Sequence, residues 1–230
     1  GNSPDPFDLF EKYGTDAVRF GIMLMAPQGL DVLFSESRLE VGRNFMNKLW
    51  NAARFVQMNL KDGELPLDEI DTESLDLPER WILFRLNQTI DQFERRMDKF
   101  HFNEAAKTLY EFTWSDYCDW YVEIAKTRFQ SGDEAKAEAA RAVAVKVLKN
   151  IFKLLHAYAP FITEELWASF KSDDETDLIV SSWPSKTELT EKMDEIASME
   201  ILKEVISAVR TIRSRMNVPP ASKANVLVRS

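Results

Sequence analysis

Residues 39–60 carry apolar side chains at spacings of three and four, which predicts one long amphipathic helix. No acid occurs between Glu40 and Asp62, although the chain as a whole is acidic. The apolar face consists of Phe45, Leu49, Ala52 and Val56. The opposite face carries Arg43, Asn44, Asn47, Lys48, Trp50, Asn51, Arg54 and Phe55. The helix therefore has one side to bury and one side made of cations, amides and two aromatic rings.

The pattern alone leaves two interpretations of this polar face open. Arginine, lysine and amide side chains bind phosphate oxygens and base edges, and aromatic rings stack on splayed bases. A face of this composition therefore suits single-stranded RNA. The alternative is an ordinary solvated helix face without a ligand.

Helical patterns continue through most of the chain. Helices are predicted at 7–14, 16–26, 39–60, 77–97, 104–129 and 134–159, with a final turn or two at 161–170. Asp5, Thr15, Ser35 and Asp133 are predicted to start helices as caps, and Gly14 is predicted to end the first helix. Four long helices with short turns predict an antiparallel bundle. Beyond residue 171, short apolar runs at 178–184 and 224–230 predict strands, with a helix at 190–216 between them. The predicted fold is mainly α, with a small truncated α/β element at its end.

Composition excludes several classes of protein. The chain has 230 residues, a net charge of −9, one cysteine and two histidines. Cys118 alone cannot form an internal disulfide and fits a reducing, cytoplasmic compartment, and two histidines without a second cysteine argue against a metal site. No apolar run approaches the roughly 20 residues that a membrane span needs, and no signal peptide precedes the first helix. The acidity argues against a general nucleic-acid binder, and no DNA partner is predicted.

The charge is unevenly distributed. Residues 62–76 hold seven acids and no base, whereas the chain after Glu204 holds five bases and no acid. Arg210, Arg213 and Arg215 cluster at the end of the helix predicted at 190–216. They are candidates for contacts with an RNA backbone, and a helix end that complements its own dipole is an equally good interpretation.

Catalytic motifs are absent from the sequence. It contains no phosphate-binding glycine loop, no dinucleotide fingerprint and no nucleophile elbow. Asp116 and Asp119 lie three residues apart on one helix, where hydrogen bonds to neighbouring helices are favoured over paired catalysis. Cys118, among aromatic residues, is interpreted as a buried thiol, and His156 as a structural histidine. No catalytic residue and no metal ligand is predicted.

Several stretches resemble one enzyme family. GNSPDPFDLFEKYGTDAVRF resembles the segment that follows the K-M-S-K-S signature of class I aminoacyl-tRNA synthetases, where G-N-x-x-x-P and Y-G-x-D-x-x-R recur. RNFMNKLWNAARFV, FHFNEAAKTLYEFTWSDYCDWYVEIAK, APFITEELW and IRSRMNVPP together resemble the valyl-tRNA synthetases. Isoleucyl and leucyl enzymes share the architecture but usually differ at the first, second and last of these motifs. The resemblance extends over essentially all 230 residues.

The resemblance implies a modular organisation. Residues 1–38 would be a stem-contact segment, residues 39–170 a helical anticodon-binding domain, and residues 171–230 the start of a small mixed domain. The K-M-S-K-S loop and the H-I-G-H motif are missing, so this piece is expected to be inactive alone and to bind no cofactor. ATP and magnesium would belong to the catalytic domain of the parent enzyme, which is expected to be monomeric.

The resemblance also implies a partner, the anticodon stem-loop of valine tRNA, and places anticodon contacts on the helix at 39–60. Arg43 and Lys48 are predicted to contact phosphates or base edges. Asn47 and Asn51 are predicted to hydrogen-bond to bases, and Asn44 lies on the same face.

The two aromatic residues of that face are candidates for stacking. Trp50 or Phe55 would stack on a splayed base, and Arg54 would add charge or a second stacking surface. A fragment of an isoleucyl- or leucyl-tRNA synthetase is the nearest alternative. A helical protein-interaction module without an RNA partner is the alternative from another class.

Overall fold

The computed structural model describes residues 4–26, 29, 31, 34–61, 65–66, 70–189, 193–219, 222–223 and 225. Its regular structure is helical, with no strand among these residues, which confirms the predicted mainly α fold. Residues 1–189 form one compact unit and residues 190–230 a second. The helices are α1 (Pro6–Tyr13), α2 (Thr15–Met25), α3 (Glu36–Met58), α4 (Leu77–Asp98), α5 (Phe102–Glu111), α6 (Val122–Phe129), α7 (Glu134–Leu155), α8 (Pro160–Ala168) and α9 (Met193–Arg215).

Local sequence signals set several helix ends. The Asp5 carboxylate accepts a hydrogen bond from the backbone N–H of Phe7 (2.8 Å) and caps α1. Gly14 ends α1 with a φ of 90°, a backbone conformation that glycine adopts without steric cost. Asp133 caps α7 by accepting from the N–H of Lys136 (3.2 Å). These three residues confirm the predicted helix ends. The predicted side-chain caps Thr15 and Ser35 are wrong, because Thr15 lies inside α2 and Ser35, although it precedes α3 as predicted, makes no side-chain capping bond to it.

The core of the first unit lies between packed helix pairs. Helix α2 packs on α3, α4 on α5 and α6 on α7. The predicted apolar face of α3 is buried, because Phe45, Leu49, Ala52 and Val56 are all at most 8% exposed. The largest fully buried side chains include Trp81, Phe93, Tyr117, Tyr121, Phe152, Trp167 and Phe170. Burial of these rings, together with many aliphatic side chains, removes apolar area from water and stabilises the unit.

The helix predicted at 104–129 is continuous but changes its winding in the middle. A π-helical segment, Phe112–Tyr121, separates α5 from α6. Within it the hydroxyls of Tyr117 and Tyr121 donate to the carbonyl oxygens of Ala144 (3.0 Å) and Ala140 (3.2 Å) in α7. These two buried hydroxyls have their hydrogen-bond partners on another helix, so the periodicity of 104–129 alone could not indicate them.

Two residues of the Y-G-x-D-x-x-R motif attach α2 to the junction between α7 and α8. The Asp16 carboxylate accepts from the N–H of Ile162 (2.6 Å) in the first turn of α8. The Arg19 guanidinium donates to the carbonyl oxygens of Tyr158 (3.2 Å) and Ala157 (3.3 Å), just after α7. An acid thus meets the positive end of one helix dipole and a cation the negative end of another.

The strand predicted at 178–184 is wrong. Leu178–Val180 form a single 3₁₀ turn, and residues 181–189 have no regular structure. The segment instead attaches to α4, where Asn87 donates to the carbonyl of Thr187 (2.8 Å) and accepts from its N–H (2.9 Å). Backbone groups here are therefore satisfied by an amide side chain rather than by a neighbouring strand. The strand predicted at 224–230 lies, apart from residue 225, outside the described residues.

Glu79, in the first turn of α4, is a buried acid. It is 2% exposed, and its Oε1 atom has no hydrogen-bond partner among the described residues. The nearest cation is Arg128, whose Nε lies 4.0 Å from Oε1. Burial raises the pKa of Glu79, and this effect exceeds the opposing attraction of Arg128.

We expect Glu79→Gln to raise the free energy of unfolding at neutral pH, because it removes the charge that burial disfavours and keeps the size of the side chain. Because the pKa is raised on folding, the stability present below the unfolded-state pKa is lost as pH rises through the folded-state pKa. The gain should therefore be largest at neutral pH and vanish below about pH 4. Urea unfolding at both pH values tests this, and an equal effect at both would contradict it.

Candidate nucleic-acid interface

Helix α3 carries all eight predicted side chains on the side opposite its buried face. At helical spacing, residues three and four apart are neighbours, so these positions form two rows. The first row is Asn44, Lys48, Asn51 and Phe55. The second row is Arg43, Asn47, Trp50 and Arg54. Six of the eight are exposed, and Lys48 and Phe55 are partly covered by neighbouring elements.

Lys48, in the first row, is held by the π-helical segment. Its ammonium group forms a salt bridge with the carboxylate of Asp119. The same Nζ atom lies 4.3 Å from the ring centroid of Trp114, within range of a cation–π interaction. Trp114 in turn stacks with Tyr110, with centroids 5.5 Å apart. Lys48 is therefore an ordered donor in a defined position rather than a free cation for phosphates.

Phe55, at the end of the first row, packs against α6. Its ring stacks with Phe129, with centroids 6.1 Å apart. The ammonium of Lys126 lies 5.2 Å from the Phe55 ring centroid. These contacts hold the ring in place and reduce the area that it offers to a base, which favours Trp50 as the stacking residue.

Arg43 and Asn47, in the second row, border a cavity of about 360 Å³ that also involves α1, α2 and α8. The Arg43 guanidinium lies 5.6 Å from the ring centroid of Tyr13, which is buried. Phe161, which is 66% exposed, lines the same cavity. Arg43 and Asn47 thus lie where α3 meets the segment predicted to contact the tRNA stem.

The other four residues of the two rows have no polar or aromatic partner among the described residues. Trp50 is 37% exposed, and Asn44, Asn51 and Arg54 are exposed as well. Within the described part of the chain, none of these four side chains forms a hydrogen bond, ion pair or ring contact. Their donors, acceptors and ring surface are therefore available to a ligand.

Asp119 and Trp114 contact Lys48, although the sequence did not assign them to this face. They lie more than 60 positions from Lys48 in the chain, and no spacing rule connects residues on different helices. Only the tertiary structure shows that the π-helical segment places an acid and an aromatic ring beside Lys48.

Other side chains that were considered for chemistry have structural roles. The Asp116 carboxylate accepts from Nε of Arg85 (2.9 Å), which confirms a contact between helices. Cys118 is buried, and burial raises the pKa of its thiol to about 12, which suits an inert side chain. His156 Nδ1 shares a hydrogen bond with Thr163 Oγ1 (2.9 Å), as expected for a structural histidine.

The basic cluster lies at the end of α9. The Arg213 guanidinium donates to the carbonyl oxygens of Pro219 (2.6 Å) and Ser222 (2.8 Å), which closes the chain over the end of the helix. Arg210 and Arg215 are exposed. Arg213 therefore has a local role, and a contact of this cluster with an RNA backbone stays a prediction.

Two kinds of structural feature are absent from the described residues. No group of three or more His, Cys, Asp or Glu side chains is arranged to hold a metal ion there. No described helix combines the length and the apolar character that crossing a membrane requires.

Comparison with known proteins gives matches over the whole chain. The valine–tRNA ligase of Bacillus cereus is 40% identical over 231 residues, covering 100% of this chain and 26% of the relative. That of Geobacter sulfurreducens is 43% identical over 224 residues, covering 96% and 25%. The chain thus spans about a quarter of the length of these curated relatives. These matches confirm the resemblance predicted from the sequence.

Solved structures show the same fold. The LeuRS-tRNA-LeuAMS ternary complex from Agrobacterium radiobacter K84 matches with a TM-score of 0.59 at 21% identity, covering 81% of this chain and 21% of that one. The apo methionyl-tRNA synthetase of Mycobacterium tuberculosis matches with a TM-score of 0.59 at 18% identity, covering 79% and 42%. At these identities the matches establish the fold alone.

A family model described as the anticodon-binding domain of tRNA ligase matches residues 79–228. It covers α4 to α9, and the matches to valine–tRNA ligases extend over α3 as well. Since the family model covers more than half of the sequence, this chain belongs to the anticodon-binding domain family of tRNA ligases.

Proposed function

We propose that this chain is the tRNA-binding portion of a valine–tRNA ligase and that α3 contacts the anticodon stem-loop of valine tRNA. The matches to valine–tRNA ligases at about 40% identity over the whole chain support the choice of amino acid. The observation that carries the RNA contact is the exposed face of α3, where Trp50, Asn51 and Arg54 have no partner among the described residues and no acid of the helix intervenes. Such side chains stack on bases and hydrogen-bond to their edges.

The parent enzyme would attach valine to its tRNA with ATP. The chain covers about a quarter of its relatives, so the reaction belongs to parts of the enzyme outside this sequence. We therefore propose that the chain alone is inactive and binds neither ATP nor magnesium. We also propose that the parent enzyme is monomeric and cytoplasmic.

The proposed division of labour follows the predicted domains. Residues 1–38 would contact the tRNA stem, residues 39–170 would bind the anticodon loop, and residues 171–230 would begin a small further domain. The bonds of Asp16 and Arg19 to the α7–α8 junction support a fixed orientation between the first two regions. A fixed orientation is needed because one tRNA molecule would contact both regions at the same time.

The experiment is a binding titration of this chain with a valine anticodon stem-loop, repeated at several salt concentrations. Two further stem-loops carry a changed middle base or a changed third base of the anticodon. We expect either change to weaken binding about tenfold or more, because a lost base contact costs about 1–3 kcal/mol. Phosphate contacts alone would give salt-sensitive binding that ignores both changes.

Stem-loops from isoleucine and leucine tRNAs serve as controls for the amino acid. Tighter binding of either would replace the valine assignment with that of the related enzyme. Absence of binding at every salt concentration would contradict the proposal for this chain and favour a helical protein-interaction module.

A further inference from the structure

The salt bridge between Lys48 and Asp119 lies at the edge of the exposed side of α3, next to the π-helical segment. The side chain of Lys48 is 28% exposed to solvent and that of Asp119 is 46% exposed. The recorded bond uses one carboxylate oxygen, Oδ1, and no described residue donates to the other. A ligand can therefore reach an ammonium donor and a carboxylate acceptor side by side.

The pair has little value as a structural element. Exposed ion pairs contribute about 0–1 kcal/mol to stability, because solvent screens them and ordering two side chains costs entropy. This pair is nevertheless ordered on one side, since Trp114 lies 4.3 Å from the Lys48 ammonium and itself stacks on Tyr110. Lys48 is thus a fixed donor beside the acceptor Asp119. Asn44 and Asn51, in the same row of α3 as Lys48, have no partner among the described residues. Such an arrangement of polar groups is suited to recognising a ligand.

A neighbouring donor and acceptor complement particular base edges. Adenine presents an amino group beside the ring nitrogen N1, and cytosine presents an amino group beside N3. In both cases the amino group can donate to Asp119 while the ring nitrogen accepts from Lys48. Guanine and uracil carry a keto oxygen in place of that amino group, and the oxygen would face the carboxylate. A keto base would have to exchange donor and acceptor, which the anchored position of Lys48 opposes.

Valine codons begin with G and U, so base pairing requires A and C as the middle and third bases of the anticodon. Both bases have the amino group and ring nitrogen that the pair complements. We infer that the Lys48–Asp119 pair reads the amino edge of one of these two bases and thereby discriminates against keto bases. This inference rests on the proposed function, and it adds Asp119, from the π-helical segment, to the residues that determine specificity.

The test compares the unchanged chain with Asp119→Asn on three stem-loops. One has the valine anticodon, one has hypoxanthine in place of the middle adenine, and one has uracil in place of the third cytosine. For the unchanged chain we expect about tenfold weaker binding when the base that is read becomes a keto base. In the variant the asparagine amide can donate to the keto oxygen, so we expect the preference to fall to about twofold or to reverse. The stem-loop that responds identifies the base.

Asp98→Asn is the matched control. It makes the same change of charge at an exposed carboxylate at the end of α4, for which no partner is recorded among the described residues. The control should retain the full preference, and unfolding curves of both variants should coincide with that of the unchanged chain. An unaltered preference in Asp119→Asn, or an equal loss in both variants, would overturn the inference. Failure of the unchanged chain to distinguish the stem-loops would also overturn it, whereas absence of binding to all three would refute the proposed function.

Discussion

Gly42→Ala is expected to lower the free energy of unfolding by about 1–3 kcal/mol, the range found for overpacked cores. A β-carbon at this position of α3 would lie 2.3 Å from the carbonyl oxygen of Ala17 in α2. That atom belongs to the backbone, so the two helices would have to separate. Alanine gains up to about 1 kcal/mol over glycine in a helix, which is too little to offset the overlap. Urea denaturation of both proteins measures the difference.

Gly21→Ala provides a graded comparison at the same helix pair. Its β-carbon would meet the carbonyl oxygen of Arg38 and the side chain of Leu39, both at 2.9 Å. The overlap is smaller, and one of the two neighbours is a side chain that can move, so the loss of stability should be smaller. Equal stability of Gly42→Ala and the unchanged chain would contradict the close packing of α2 against α3 at Gly42.

The second large effect concerns binding. Trp50→Ala is expected to weaken binding of the valine anticodon stem-loop by about 1–3 kcal/mol, which corresponds to roughly five- to 150-fold in Kd. The indole is 37% exposed and has no recorded ring contact among the described residues, so its surface is available to a base. Phe55, by contrast, already stacks on Phe129, and its removal should affect binding less. Fluorescence anisotropy of a labelled stem-loop measures both.

Trp183→Ala is the control for this experiment, because it makes the same substitution at an indole with 52% exposure, outside residues 1–170. It should leave the Kd unchanged. Unfolding curves of both variants check that each remains folded, since both rings are partly buried. Unchanged affinity in Trp50→Ala, or an equal loss in Trp183→Ala, would show that the stacking surface lies elsewhere.

Gly42 and Trp50 lie on opposite sides of α3. Gly42 on the inner side determines how closely the helix approaches α2, whereas Trp50 on the outer side is accessible to a ligand. Any substitution that moves α3 away from α2 should therefore also weaken RNA binding, because the positions of the outer side chains follow the backbone.

The positions of the helices and the composition of the α3 face could be predicted from the sequence. Spacings of three and four residues predicted that Phe45 and Val56 would be buried and that Arg54 and Asn51 would be exposed. Local cap chemistry at Asp5 and Asp133 predicted helix starts, because these hydrogen bonds span only two or three residues. Signals of this kind depend on neighbours along the chain.

Contacts between distant segments decided the rest. The run at 178–184 has the composition of a strand, yet no strand lies beside it among the described residues, and Thr187 hydrogen-bonds to Asn87 of α4 instead. Lys48 looked like a free cation, but packing places Asp119 and Trp114 beside it. The sequence by itself therefore determined which side chains α3 exposes. Only the tertiary structure decided which of them are already paired, because those partners come from helices far away in the chain.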